Sequence, residues 1–231
     1  MDAGRVGMKI TYLELPTINL KAQEEYYSNV LKLAVKASAV ELKVQAGETE
    51  LVFTQADPDF DSAYHFALNI PDNQFSAAKK WIASRQSLLQ DVDGKDEFLS
   101  KTWNSQSIYF KDAAGNVLEF IARHTMNNAI DGYFNERQIL NISEIGLPSE
   151  DVISWANELC QTLGISPYKQ EPNESFTPVG DDNGLLILPR RDRIWMPDSD
   201  VPAKLLPVRV GLDVAGSNWE VRGYPYVIIN T

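Results

Sequence analysis

Polar and apolar positions alternate through "KITYLELP" (residues 9–16), the pattern of a half-buried strand, and the period then changes. From Asn19 onward Leu20, Tyr27, Val30 and Leu31 recur at helical spacing in "NLKAQEEYYSNVLKL", with Asn19 suited to cap the predicted helix. "VKASAVELKVQ" and "ETELVFTQ" alternate again, and the "AGE" between them suits a tight turn joining antiparallel strands. The order is βαβββ or close to it. It then restarts: "YHFALNIP" predicts a strand, and "NQFSAAKKWIASRQSLL" a helix with Phe75, Ala78, Trp81, Ile82 and Leu89 on one side. "SIYFKDAAGNVLEFIAR" (107–123) reads as a hairpin, with one acid, Glu119, inside the apolar run of its second strand.

A third restart shows internal duplication. "NISEIGLP" at Asn141 matches "KITYLELP" at Lys9 without a gap, an offset of 132 residues that also carries Leu20 onto Val152 and Leu31 onto Leu163. "SFTPVGDDNGLLILPRRDRIWMP" follows as two strands about the Asp181–Gly184 turn. "PVRVGLDV" then resembles "YHFALNI" in pattern, and the stretch from Val214 to Tyr224 leaves no room for a helix before "YPYVIIN" closes a sheet. The sequence thus predicts an α+β protein of tandem βαβββ units with a degenerate, shortened second half. Its expected divisions are residues 8–124, a polar linker at 125–138, and a truncated repeat at 139–231.

Composition narrows the partners. The chain has 231 residues, 44% of them hydrophobic, enough for a substantial core. A net charge of -11 and a pI near 4.7 disfavour nucleic acid and anionic membranes. A single cysteine, Cys160, excludes an intrachain disulfide, and its helix suits a small buried residue better than a nucleophile, with no histidine near it in sequence. No basic start followed by an apolar stretch marks a secretory signal, and no apolar run reaches the roughly 20 residues that span a bilayer. A cytoplasmic protein with a small-molecule partner is expected.

The repeated units, the "YY" of the first helix, and above all Tyr109, Asp112, Gly115, Asn116 and Glu119 in "YFKDAAGNVLEF" resemble the vicinal oxygen chelate superfamily. That superfamily includes glyoxalases, extradiol dioxygenases and bleomycin- or fosfomycin-resistance proteins; its members often carry proline where this chain has Ala113. The resemblance covers residues 8–124 and implies paired units curled into a cup. It also implies metal ligands on inward faces of the first and last strands of a unit.

Those positions are His65 and Glu119. Val117, Glu119 and Ile121 share one strand face, and a carboxylate among apolar residues needs a cation, a hydrogen-bond donor or a proton. Neutral imidazole and carboxylate suit Fe, Mn, Ni or Zn. The third ligand position implied by the resemblance holds Tyr12, a poor ligand at neutral pH. If Tyr12 has abolished the site, no cofactor is expected. Glu14, two residues on, shares its face, and Glu50 stands where glyoxalase-type members place a further ligand. Tyr109 falls where ring-cleaving members carry an active-site tyrosine, and Asn69 shares a face with His65. Tyr12, Glu14, Asn69 and Tyr109 are thus the expected pocket residues, with Tyr109 and Glu119 catalytic. In the second half Glu144 matches Tyr12 and Arg209 matches His65, which predicts an Arg209–Glu144 salt bridge in place of a metal.

Two functions follow. One is a divalent-metal enzyme acting on a small molecule with adjacent oxygens, by lyase or isomerase chemistry or by extradiol cleavage; the other is a metal-free binding protein like those of bleomycin resistance. Both require His65, Glu119 and Tyr12 to face a common cavity.

Overall fold

The computed structural model describes residues 7–214 and 218–231, and the units follow the predicted order. The first contains β1 (Ile10–Thr17), α1 (Leu20–Asn29), β2 (Ala34–Ala37), β3 (Glu41–Ala46) and β4 (Thr49–Gln55). The second contains β5 (His65–Ile70), α2 (Phe75–Ala83), β6 (Phe98–Ser100), β7 (Ser105–Lys111) and β8 (Val117–Arg123). The third contains β9 (Asn141–Gly146), α3 (Val152–Leu163), β10 (Phe176–Asp181) and β11 (Gly184–Pro189). The last contains β12 (Val208–Leu212), β13 (Trp219–Glu220) and β14 (Tyr226–Asn230); residues 215–217 of its predicted helix-free stretch lie outside the described residues.

These strands form two curled, mixed seven-stranded sheets of an α+β fold. One has the order β13-β14-β12-β1-β4-β3-β2, the other β10-β11-β9-β5-β8-β7-β6. Each sheet therefore draws on both sequence halves. The first strand of every unit would be left as an open edge within its own half; β1 meets β12 and β5 meets β9, both antiparallel, so each edge is paired by a first strand from the other half. The boundary between sheets is consequently not the 125–138 linker.

The apolar back of each sheet and the helices share one continuous core, with Leu13, Phe53, Phe66, Phe120, Ile145 and Trp155 among its buried members. Asn19 caps α1 by accepting from the Ala22 amide at 2.9 Å. Helix α2 stops at Ala83 rather than continuing to Leu89, whose amide donates to the Tyr109 carbonyl at 2.8 Å and so belongs to the edge of β7. The "DAAGN" turn holds β7 and β8 in register through buried Asp112. Its carboxylate accepts from the Asn116 amide at 3.0 Å, from the Asn116 side chain at 2.9 Å, and from Gln23 on α1 at 2.8 Å.

The two sheets are keyed together next to β9. Gly47 has φ +60°, and a Cβ there would lie 2.0 Å from the Leu140 carbonyl oxygen, so only glycine permits the approach. Beside it the Thr49 hydroxyl donates to the Ile10 carbonyl (2.6 Å) and accepts from the Ile142 amide (2.9 Å), joining β1 to β9.

Candidate metal centre

Strands β8, β5 and β9 lie side by side, and their register places three ionisable residues on the concave face. Ala67 of β5 is opposite Glu119 of β8 on one side and Glu144 of β9 on the other. Only a methyl group stands between the two carboxylates. His65, two residues before Ala67, shares that face because alternate strand residues point the same way. Ligand atoms of His65, Glu119 and Glu144 all lie within 4.8 Å of one another, and all three residues are buried.

The imidazole is poised as a donor of electrons. His65 Nδ1 lies 3.0 Å from the Val117 carbonyl, which fixes the neutral tautomer with hydrogen on Nδ1 and leaves the Nε2 lone pair facing the carboxylates. Burial lowers the His65 pKa to about 4, with the charge of Arg193 acting in the same direction. Burial raises Glu119 to about 8, and the charge of Glu144 adds to the rise; Ser107, Arg123 and Tyr109 oppose it. Burial thus disfavours the charged form of both partners in the 3.6 Å contact between His65 Nε2 and Glu119 Oε2, which works against an ion pair there.

Glu144 has a different environment. Burial raises its pKa, but Arg123 opposes that rise by pairing with it directly. Arg123 is completely buried, and its remaining donors meet Asn69 Oδ1 at 3.1 Å and the Tyr168 hydroxyl at 3.4 Å. Tyr168 in turn donates to Asp182.

A cavity of about 490 Å³ opens over this cluster, with His65, Glu119 and Glu144 in its wall. Tyr109, opposite Glu119 on β7, also lines it, and burial next to that acid holds its phenol protonated. Trp195 comes from the segment between β11 and β12 and packs on His65 with ring centroids 4.9 Å apart. Gly146 makes room for it, since a Cβ there would lie 2.5 Å from the indole.

The expected residues are therefore divided between two sheets. His65, Glu119 and Tyr109 share the cavity, whereas Tyr12, Glu14 and Glu50 lie half-exposed on the other sheet. Tyr12 donates to Glu14, and Glu50 lies 3.7 Å from Lys43. Asn69 is engaged with Arg123 and with the Asp182 carbonyl (2.9 Å) and is not in the cavity wall. The expected Arg209–Glu144 bridge is replaced by two separate pairings: Arg209 lies 3.9 Å from Glu14, and Glu144 meets Arg123. The physical reason is common to these differences. Unit one pairs with unit four and unit two with unit three, so Glu144, which the 132-residue offset equates with Tyr12, stands beside His65 where Tyr12 was expected. Sequence reasoning missed Glu144 as a member of this cluster, and Arg123 and Trp195 entirely; the offset carried the signal for Glu144.

Corresponding rungs show how the sheets diverged. Across the second sheet the rung reads Tyr109, Glu119, Ala67, Glu144, Leu185; across the first, Ile229, Gly211, Tyr12 and Glu50 occupy the matching stretch, with Arg209 in the place of His65.

Solved structures share the overall fold. A Bacillus subtilis protein assigned as a dioxygenase superposes with a TM-score of 0.58 at 16% identity, covering 89% of this chain and 70% of its own. Glyoxalase I from Zea mays superposes with a TM-score of 0.55 at 11% identity, covering 90% of this chain and 75% of its own. The chain therefore has the same overall fold as these two proteins. No protein-family model matches the sequence, and no curated protein does either. Among the described residues no helix is long and apolar enough to cross a membrane.

Proposed function

We propose that this protein is a divalent-metal enzyme of the vicinal oxygen chelate type, acting on a small organic molecule with two adjacent oxygens. The observation that carries this reading is the convergence of His65, Glu119 and Glu144 from three neighbouring strands. The residues fit an ion. A metal held at roughly 2.0–2.2 Å brings neighbouring donors to about 3 Å apart, so side-chain rotation alone would close the 3.6 Å His65–Glu119 separation. One imidazole and two carboxylates suit Fe, Mn, Ni or Zn, and a cation would relieve the repulsion between the acids. When bound, the ion would supply Lewis acidity towards the substrate oxygens.

The chain supplies the rest. Arg123 fixes Glu144 and offsets part of the local negative charge. The Tyr109 phenol stands beside Glu119 as a hydrogen-bond donor for a substrate oxygen. Trp195 covers one side of His65 and keeps water from it.

The test is calorimetric titration of stripped protein with Fe(II), Mn(II), Ni(II) and Zn(II). Micromolar binding that weakens at least about tenfold in Glu119→Gln and in His65→Ala is expected. Absence of binding below millimolar concentration would exclude this reading. A second reading, a metal-free small-molecule binding protein, draws on the Arg123–Glu144 pair, since an arginine already occupies one carboxylate of the cluster. Thermal shifts by catechols with no metal response would favour it.

A further inference from the structure

The wall of the cavity changes character between floor and mouth. His65, Glu119, Glu144 and Tyr109 form a buried, polar floor. Phe98, Trp103 and Phe176 are part-exposed members of the same wall. Its most open apolar members are Leu99 of β6, 68% exposed, and Met196 of the segment between β11 and β12, 45% exposed. Apolar surface thus leads from the ionisable cluster out to solvent.

The exposed charges of this wall are already engaged. Asp91 Oδ1 accepts from the Asp93 and Lys95 amides at 3.0 and 2.8 Å, which closes its own turn. Glu97 lies 3.0 Å from Lys79, and Lys95 lies 3.5 Å from Asp93. What the mouth leaves uncovered is apolar. Among the described residues seven large hydrophobic side chains are exposed, and four of them, Val92, Leu99, Ile194 and Met196, belong to the two segments that frame this cavity. Scattered exposed hydrophobics are ordinary, but a group rimming a pocket marks surface that a ligand covers. The volume of about 490 Å³ also suits a drug-sized molecule, larger than a chelating head of a few atoms.

We propose that the cavity takes an amphiphilic small molecule whose oxygen-bearing head reaches the floor and whose uncharged apolar tail leaves past Met196 and Leu99. The aromatic side chains between floor and mouth supply the surface along which that tail packs. Asp91 and Glu97 outnumber Lys95 in the outer wall, so a tail ending in an anion is disfavoured. As a statement about substrate this rests on the proposed metal enzyme. Recognition of the tail itself does not require a metal.

The test uses the full chain, stripped of metal, and a series of 4-alkylphenols from methyl through propyl and pentyl to heptyl, probes that lack adjacent oxygens. Binding is read by tryptophan fluorescence excited at the red edge of the indole band. We expect saturable binding that tightens by about two- to fourfold per methylene. Leu99→Ser and Met196→Ser in one chain should cut the gain of heptyl over methyl by at least about fivefold and leave 4-methylphenol binding unchanged. Both side chains are exposed, so the fold does not depend on them. Affinity independent of chain length, or the same gain in the double variant, would overturn the proposal. A flat series together with self-association in gel filtration that the double variant loses would overturn it in favour of a contact between copies of the chain. Because no metal is present and each probe has one oxygen, failure here leaves the metal reading standing, and failure to bind metal leaves this one standing.

Discussion

Glu119 and His65 hold their protons at values opposite to those of the free side chains, and this links the stability of the metal-free protein to pH. Between about 4 and 6.5 the unfolded chain protonates His65 and the folded protein resists doing so, hence this residue favours folding as pH rises. Between 4.5 and about 8 the folded protein keeps the Glu119 proton that the unfolded chain has lost, hence this residue disfavours folding as pH rises. The two contributions oppose each other below 6.5. Above it only Glu119 acts, and stability should decline towards pH 8 with a slope approaching about 1.4 kcal/mol per pH unit. Urea unfolding across pH 6.5–8.5 measures this, and Glu119→Gln should flatten it; a flat native profile would mean an ionised Glu119. Arg123 gives a second expectation. Arg123→Met leaves Glu144 buried and unpaired, at a cost of about 3–5 kcal/mol, whereas adding Glu144→Leu to the same chain should recover most of the loss. Full destabilisation persisting in the double variant would show that Arg123 acts through Asn69 and Tyr168 instead.

Elements aim these residues, and their fit can be probed at Gly146 of β9. Gly146→Ala sets a methyl against the Trp195 ring, so the ribbon must lift from His65. The expected cost is about 1–3 kcal/mol, accompanied by a red shift in tryptophan emission; unchanged emission would mean that β9 gives way instead. The elements were largely legible in the sequence. The "DAAGN" turn announced the β7–β8 hairpin because its carboxylate and glycine meet local needs, and His65 and Glu119 emerge on one face because strand alternation is strict. The end of α2 was not legible. Leu89 continues the helical spacing, but its amide is taken by β7, a partner remote in sequence. Arg123 was missed for a similar reason: nothing near it in the chain indicates Glu144 as its counter-ion.

At the scale of the molecule, the repeats were readable from the 132-residue offset, but not which unit pairs with which, since any first strand presents the same edge. This pairing makes the halves interdependent. Residues 8–124 expressed alone would expose the β1 and β5 edges, and we expect that fragment to aggregate or remain poorly folded by circular dichroism and gel filtration. Co-expression with residues 125–231 should restore the fold; a monomeric, cooperatively folding 8–124 fragment would show that it forms an independent domain. The rung shared by the two sheets gives the chain its own reference compound. Tyr12, Ile229 and Arg209 occupy, in partly solvated form, the backbone stations that Glu144, Glu119 and His65 occupy in the dark interior. Tyr12→Glu, Ile229→Glu and Arg209→His in one polypeptide would therefore set the same three side chains at a more solvated site that lacks Arg123, and the difference between the two titration curves would measure burial together with the charges that surround the native cluster.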